Sequence, residues 1–202
     1  VAGNVSLYNQ SKTSAVVPSA MMACVGNMQD VDNKLLPAVD ETELMLYMVG
    51  ARSGRLAGSL FHQYAGRDDG GILNIDYQDI NQQMKFMDQM TTGRMLKACK
   101  IIESGGLALA LIKMALLGSC GMVLEDPFDD FEPWLDETPG FVLALDKKNQ
   151  DEVVARAKAM QIDIRYCGKT AKDPSITFPF AHIDLSHARQ VWRQGLRQKI
   201  AH

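Results

Sequence analysis

Cysteine is scarce in this 202-residue chain, and the four present (Cys24, Cys99, Cys120 and Cys167) are scattered with no CxxC among them. That excludes a disulfide framework and a Cys-based zinc site, and fits a reduced, cytoplasmic compartment. Long apolar runs are missing too. The longest, 107–117, is broken by Lys113 and falls far short of the ~20 residues that a bilayer crossing takes, so no membrane partner is expected. Nor is there an excess of one charge: 21 basic residues stand against 24 acidic ones, a formal net charge of −3. A near-neutral balance gives no electrostatic footprint for nucleic acid. The chain opens on Val1 with no initiator Met, charged n-region or apolar h-region, so it reads as a piece of a longer polypeptide without a signal peptide.

At 47% hydrophobic and 22% charged, the composition is that of a soluble globular protein with material for a core. A polar opening, Gly3 to Gln10, precedes a small, apolar, glycine-ended run at 16–26 that reads as a buried strand. The turn cluster 30–34 and Pro37 place a boundary between 31 and 40. Residues 1–31 then read as the C-terminal end of a truncated domain, and 40–202 as a domain in its own right.

Within 40–202, residues 43–50 read as a central strand and 53–64 as a helix with Leu56, Leu60, Phe61 and Tyr64 on one face. A second helix is expected from Asp79 to about Lys100. A third, 107–117, is apolar nearly all round and so central. An acidic loop, a strand at 141–145, a helix at 150–160, strands at 162–166 and 175–180, and a last helix from Asp184 to about Ile200 complete the order. Strands and helices mix without strict alternation, which argues for an α+β fold, a layered mixed sheet with helices.

The short phrase Gly3-Asn4-Val5-Ser6 has the parts of a nucleotide–Mg²⁺ site. Glycine permits close backbone approach, the Asn4 amide oxygen suits a hard cation, and Ser6 adds a hydroxyl. Spacing alone favours a polar turn before a strand. Between Glu125 and Glu137 seven acidic residues fall in thirteen positions, a local charge of −7 that leaves +4 elsewhere. Their spacing matches no EF-hand loop, so a solvated loop pinned by Phe128, Phe131 and Trp134 is expected. Met84, Met87, Met90 and Met95 recur at helical spacing and read as core. His62, His182, His187 and His202 share no ligand spacing, with His62 readable as a buried histidine. Cys99 and Cys120 have no nearby His or Asp to make a nucleophile.

Gly-Asn-Val-Ser-Leu-Tyr-Asn at 3–9, the Pro18-containing strand ending Val25-Gly26, and Asp30-Val31 together resemble formylglycinamidine ribonucleotide amidotransferase, also called phosphoribosylformylglycinamidine synthase. The resemblance is to the second half of its synthetase region. It continues in order through Ala57-Gly58-Ser59, the helix entry Gly105 to Ala108, the helix end Gly118-Ser119-Cys120-Gly121, Asp136 to Gly140, and the closing helix with Trp192. It implies an aminoimidazole-ribonucleotide-synthetase-like C-terminal α+β domain at 40–202, preceded at 1–31 by the tail of a companion N-terminal-type domain that handles ATP and substrate.

The resemblance also implies that Gly3 contacts ATP, Asn4 ligates Mg²⁺ and Ser6 contacts formylglycinamide ribonucleotide. In the family's ligase reaction of purine biosynthesis, ATP phosphorylates the formyl amide oxygen and ammonia from a glutaminase unit displaces the phosphate. The implied partners are the remainder of the synthetase and the glutaminase. The family's catalytic histidines and most Mg²⁺ carboxylates lie upstream, so this chain alone is expected to be inactive. One departure stands out: where the family carries His-Asp-x-Ser-Glu-Gly-Gly, this chain reads Lys100 to Gly106 with the His-Asp pair gone. Gly105 and Gly106 then mark either a degenerate anion site or close packing, and 40–202 either a working domain or a scaffold that docks the glutaminase. The 16–26 strand, lacking its partner, is an edge through which a homodimer can form.

Overall fold

The computed structural model describes residues 30–67 and 75–200, with side chains as far as 195, together with 10, 12–15, 23 and 25–28. The chain divides into two compact units, Val1–Val31 and Asp32–His202. In the first, Gln10 and Ala15 form an antiparallel bridge. Gly3, Asn4, Ser6 and most of the expected 16–26 strand lie outside the described residues; Ala23, Val25 and Gly26 are irregular.

The second unit is built on a mixed sheet of seven strands among the described residues: β1 (Met45–Val49), β2 (Ala98–Ile102), β3 (Gly121–Leu124), β4 (Gly140–Leu145), β5 (Ile164–Ala171), β6 (Ser175–Thr177) and β7 (His182–Asp184). Their order is β2-β4-β1-β5-β3-β6-β7. The β3–β6 pair is parallel; β1 lies between two antiparallel neighbours, with Met48 opposite Val142 of β4 and Arg165 of β5. The described α-helices are α1 (Leu60–Ala65), α2 (Tyr77–Thr92), α3 (Gly106–Leu117), α4 (Glu132–Leu135) and α5 (Gln150–Ala159), which lie between strands, and α6 (Leu185–Ile200), which follows β7.

Strand side chains alternate between faces, and both faces are covered. Leu46 and Met48 of β1 and Val142 and Ala144 of β4 pack with Leu107, Leu111 and Met114 of α3 and with Trp134. Their neighbours Tyr47, Val49, Leu143 and Leu145 pack with Phe86, Met87 and Met90 of α2 and Val153 and Ala157 of α5. The central strands are therefore buried on both sides, which accounts for their near-continuous apolar sequence. The layered α+β architecture is as expected from the sequence, and α3, apolar nearly all round, is central.

Several element boundaries need correction. The 53–64 helix is mostly irregular; only α1 is helical, with Ser59 as its N-cap accepting from the His62 amide at 3.2 Å. Gly54 and Gly58 both take positive φ, 68° and 76°, which interrupts a helix that apolar spacing alone suggests. The second helix runs from Tyr77, N-capped by Asp76, whose side chain accepts from the Gln78 and Asp79 amides, and stops at Thr92. Gly93 and the left-handed Arg94 (φ 52°) end it, and residues 98–102 form β2 against β4 instead. The β3 and β7 strands and α4 had no separate expectation. Of the four methionines, Met87 and Met90 are core, Met95 packs partly buried against it, and Met84 is exposed.

Candidate functional site: the Asp136–Glu137 clasp

Three segments meet at one end of the sheet: the loop after β1, the turn before α3, and residues 136–140 leading into β4. Asp136 is fully buried. Its Oδ2 accepts from the Ser53 amide (2.7 Å), the Gly54 amide (2.9 Å) and Ser53 Oγ (3.1 Å). Its Oδ1 accepts from the Thr138 amide at 2.7 Å and from Thr138 Oγ1. Burial alone would raise this carboxyl, but the donors from Thr138 and Ser53 and the field of Arg52 outweigh it and hold it below its ordinary range. An ionised carboxylate with five donors is a fixed staple. It has no proton to give and no free lone pair aimed at a substrate.

Arg52 lies beside it. Its Nη1 donates to the main-chain carbonyls of Thr138 and, at 3.4 Å, of Asp136. Gly140 is needed here, because any Cβ would run into Arg52 Nη2 and the Val49 carbonyl. Desolvation pulls the Arg52 guanidinium down to about 10.

Glu137 reaches the other way. Its Oε1 accepts from the Leu60 amide at 2.8 Å and from the Gly105 amide at 2.7 Å. The amide that Gly105 would offer an external anion is thus engaged by a carboxylate of the same chain. Gly106 serves packing: at φ 67° its Cβ position lies 2.5 Å from the Leu135 carbonyl carbon. Glu137 and Gly105 are 32 residues apart, and no local signal in the sequence announces that contact.

Among the described residues, the remaining sequence candidates do not converge on this clasp. Trp134 is buried, with Nε1 donating to Asp126 at 3.2 Å and its ring edge-on to Phe128, Phe178 and Phe180. The acidic loop is thereby pinned as expected. His62 is buried, and its Nδ1 has no hydrogen-bond partner. Burial pushes the Cys99 and Cys167 thiols up to about 12, so neither is a thiolate nucleophile at neutral pH. Among the described residues no three His, Cys, Asp or Glu side chains come together as metal ligands, and no helix is long and apolar enough to cross a membrane.

Comparison with known proteins agrees with this architecture. The family described as AIR synthase related protein, C-terminal domain, matches residues 42–179. The chain is 35% identical over 152 residues to the phosphoribosylformylglycinamidine synthase subunit PurL of a Nitratiruptor species, covering 74% of this chain and 20% of that protein. To a PurL subunit of Campylobacter jejuni it is 26% identical over 204 residues, covering 99% of this chain and 28% of the relative. It therefore spans less than a third of these relatives' length. Among solved structures, Thermotoga maritima PurL complexed with FGAR superposes with a TM-score of 0.66 at 9% identity, over 79% of this chain and 30% of that one. The same protein complexed with ATP gives 0.63 at 10% identity, over 79% and 28%. At such identities the agreement is one of fold. Sheet order, helical layers and the match over 42–179 lead to one assignment: the chain belongs to the AIR synthase related proteins, as a C-terminal domain of that family.

Proposed function

We propose that this chain supplies the C-terminal part of an ATP-dependent ligase of purine biosynthesis, one that converts formylglycinamide ribonucleotide to formylglycinamidine ribonucleotide with glutamine-derived ammonia. The observation that carries this reading is the extent of the likeness. Similarity to PurL subunits covers 99% of the chain, reaching beyond the 42–179 domain into the unit that holds the opening loop. In this reading Gly3 lies against ATP, Asn4 gives its amide oxygen to Mg²⁺, and Ser6 contacts the substrate. One amide oxygen does not make a Mg²⁺ site. The metal would draw its remaining ligands from upstream polypeptide.

The Asp136–Glu137 clasp supports a positioning role for residues 40–202, holding the sheet end and the α3 entry rigid beside the reacting half. The work would be done in the cytoplasm, with the rest of the synthetase and a glutaminase as partners. In favour of such partners, a solved structure of PurLQS from Thermotoga maritima shares the fold, with a TM-score of 0.62. The test is direct. The chain mixed with ATP, formylglycinamide ribonucleotide and ammonia should show no turnover. Addition of the upstream polypeptide should restore it, and Asn4→Ala should abolish the restored activity. Turnover by this chain alone, or full activity with Asn4→Ala, contradicts the reading.

The engaged Gly105 amide favours a second reading of 40–202, a degenerate scaffold that has lost its ligand and docks the glutaminase. Calorimetry with Mg–ADP separates the two. Micromolar binding that depends on the Gly105–Gly106 turn indicates a retained nucleotide site, and no binding indicates the scaffold. The homodimer edge at 16–26 is checked by sedimentation.

A further inference from the structure

A cleft of about 370 Å³ opens between the loop after β1, the start of α2 and the 136–140 segment. Its volume falls in the range that accepts small ligands. Ile75, Ile80 and Pro139 give it apolar walls, and Arg52 is the one cationic side chain among the described residues that line it. The state of that guanidinium is unusual. Nη1 is held by two main-chain carbonyls, whereas Nε and Nη2 are buried with no hydrogen-bond partner. Asp136, the nearest buried carboxylate, spends both oxygens on Ser53, Gly54 and Thr138, so it neutralises Arg52 only through space. Asp79 lines the same cleft, but its Oδ2 is engaged by Gln83 Nε2 at 2.7 Å.

A desolvated cation without a paired anion is among the costliest arrangements inside a protein. Buried donors without acceptors call for an acceptor supplied from elsewhere. A guanidinium presents its donors as a planar fork that matches carboxylate or phosphate oxygens.

We propose that this cleft is a binding site for a small oxyanion, a carboxylate or phosphate group, that pairs with the fork of Arg52. The oxyanion takes the Nε and Nη2 donors, which have no acceptor in the unbound chain. Asp76 and Asp79 at the same cleft disfavour a second negative group and accept from any hydroxyl or amine that the ligand carries. The site rests on Arg52 and the cleft alone, and stands or falls separately from the purine-synthetase reading.

The experiment is isothermal titration calorimetry of the 202-residue chain with sodium phosphate and with sodium acetate, at neutral pH and fixed ionic strength in sodium chloride. Saturable one-site binding is expected for at least one of the two ions, and the tighter one identifies the head group. Arg52→Gln should weaken it by about tenfold or more, the loss of one charge-assisted pair. Because that substitution also touches the fold, Asp79→Asn is the companion: it keeps the guanidinium and an acceptor for Gln83 but removes a repelling charge, and should tighten binding by about threefold. Absence of saturation with both ions overturns the proposal. So does a folded Arg52→Gln protein that binds like the parent, or an Asp79→Asn protein that binds more weakly.

Discussion

Asp136 shows how one buried side chain can hold several backbone segments. Removing it leaves the Ser53, Gly54 and Thr138 amides, which are part-buried, without their acceptor, and unsatisfied donors cost ~1–3 kcal/mol each when buried, before relaxation. Asp136→Ala should therefore lose about 3 kcal/mol or more in urea unfolding. The carboxyl also leaves an acid signature. Its folded-state value is lowered, so its contribution is complete above the unfolded value of ~3.9 and is lost as pH falls through the lower folded one. The melting temperature of the parent should drop below about pH 4 more steeply than that of Asp136→Asn; equal slopes would show that Asp136 is not the group responsible. Gly106 makes a different demand. With φ at 67° and the Leu135 backbone 2.5 Å from a Cβ, Gly106→Ala should cost about 2–3 kcal/mol from strain and overpacking.

Among the elements, α6 depends on a neighbour for its seat. Leu185 is buried, but the next tie is polar: Arg189 Nη2 donates to the Gly118 carbonyl at 2.7 Å and the Ala115 carbonyl at 3.3 Å, and Nε to the Leu116 carbonyl at 3.4 Å. These are the orphan acceptors at the end of α3, where a cation is favoured by the helix dipole. Arg189→Ala should destabilise by about 1–2 kcal/mol. In hydrogen exchange, the α6 amides should lose protection while those of α3 change little. Loss of protection confined to α3 would mean that the arginine caps that helix without seating α6. Val191 and Trp192, about half exposed at 57% and 51%, show how little else holds this helix near its middle.

For the second unit as a whole, the two-faced sheet predicts one cooperative transition. Met114 packs on one face and Phe86 on the other, both fully buried. Truncation of either to Ala should cost about 2–5 kcal/mol. Each should shift the same single unfolding midpoint, whether followed by backbone circular dichroism or by indole fluorescence, since Leu46 and Tyr47 of one strand serve opposite cores. Two separated transitions in either variant would show that the faces melt independently.

Periodicity and apolar runs determined much of this protein from the sequence. The core strands near 43–50 and 141–145, the nearly all-apolar helix α3, the helix at 150–160 and the α+β class follow from them because burial on one or two faces writes directly into residue order. The phrase at 3–9 and the ordered motifs from Ala57 to Trp192 pointed to the family. What the tertiary structure alone decided are the features made by residues far apart. Residues 98–102 became a strand rather than a helix end because β4 offered an edge to pair with. The Gly105 amide met Glu137 rather than an external anion, and Arg52 came to lie buried beside a cleft with Asp136 already engaged. Local spacing carries propensity and amphipathicity. It carries no record of which carboxylate will reach which amide across the fold, and that pairing sets the charge left over at the site.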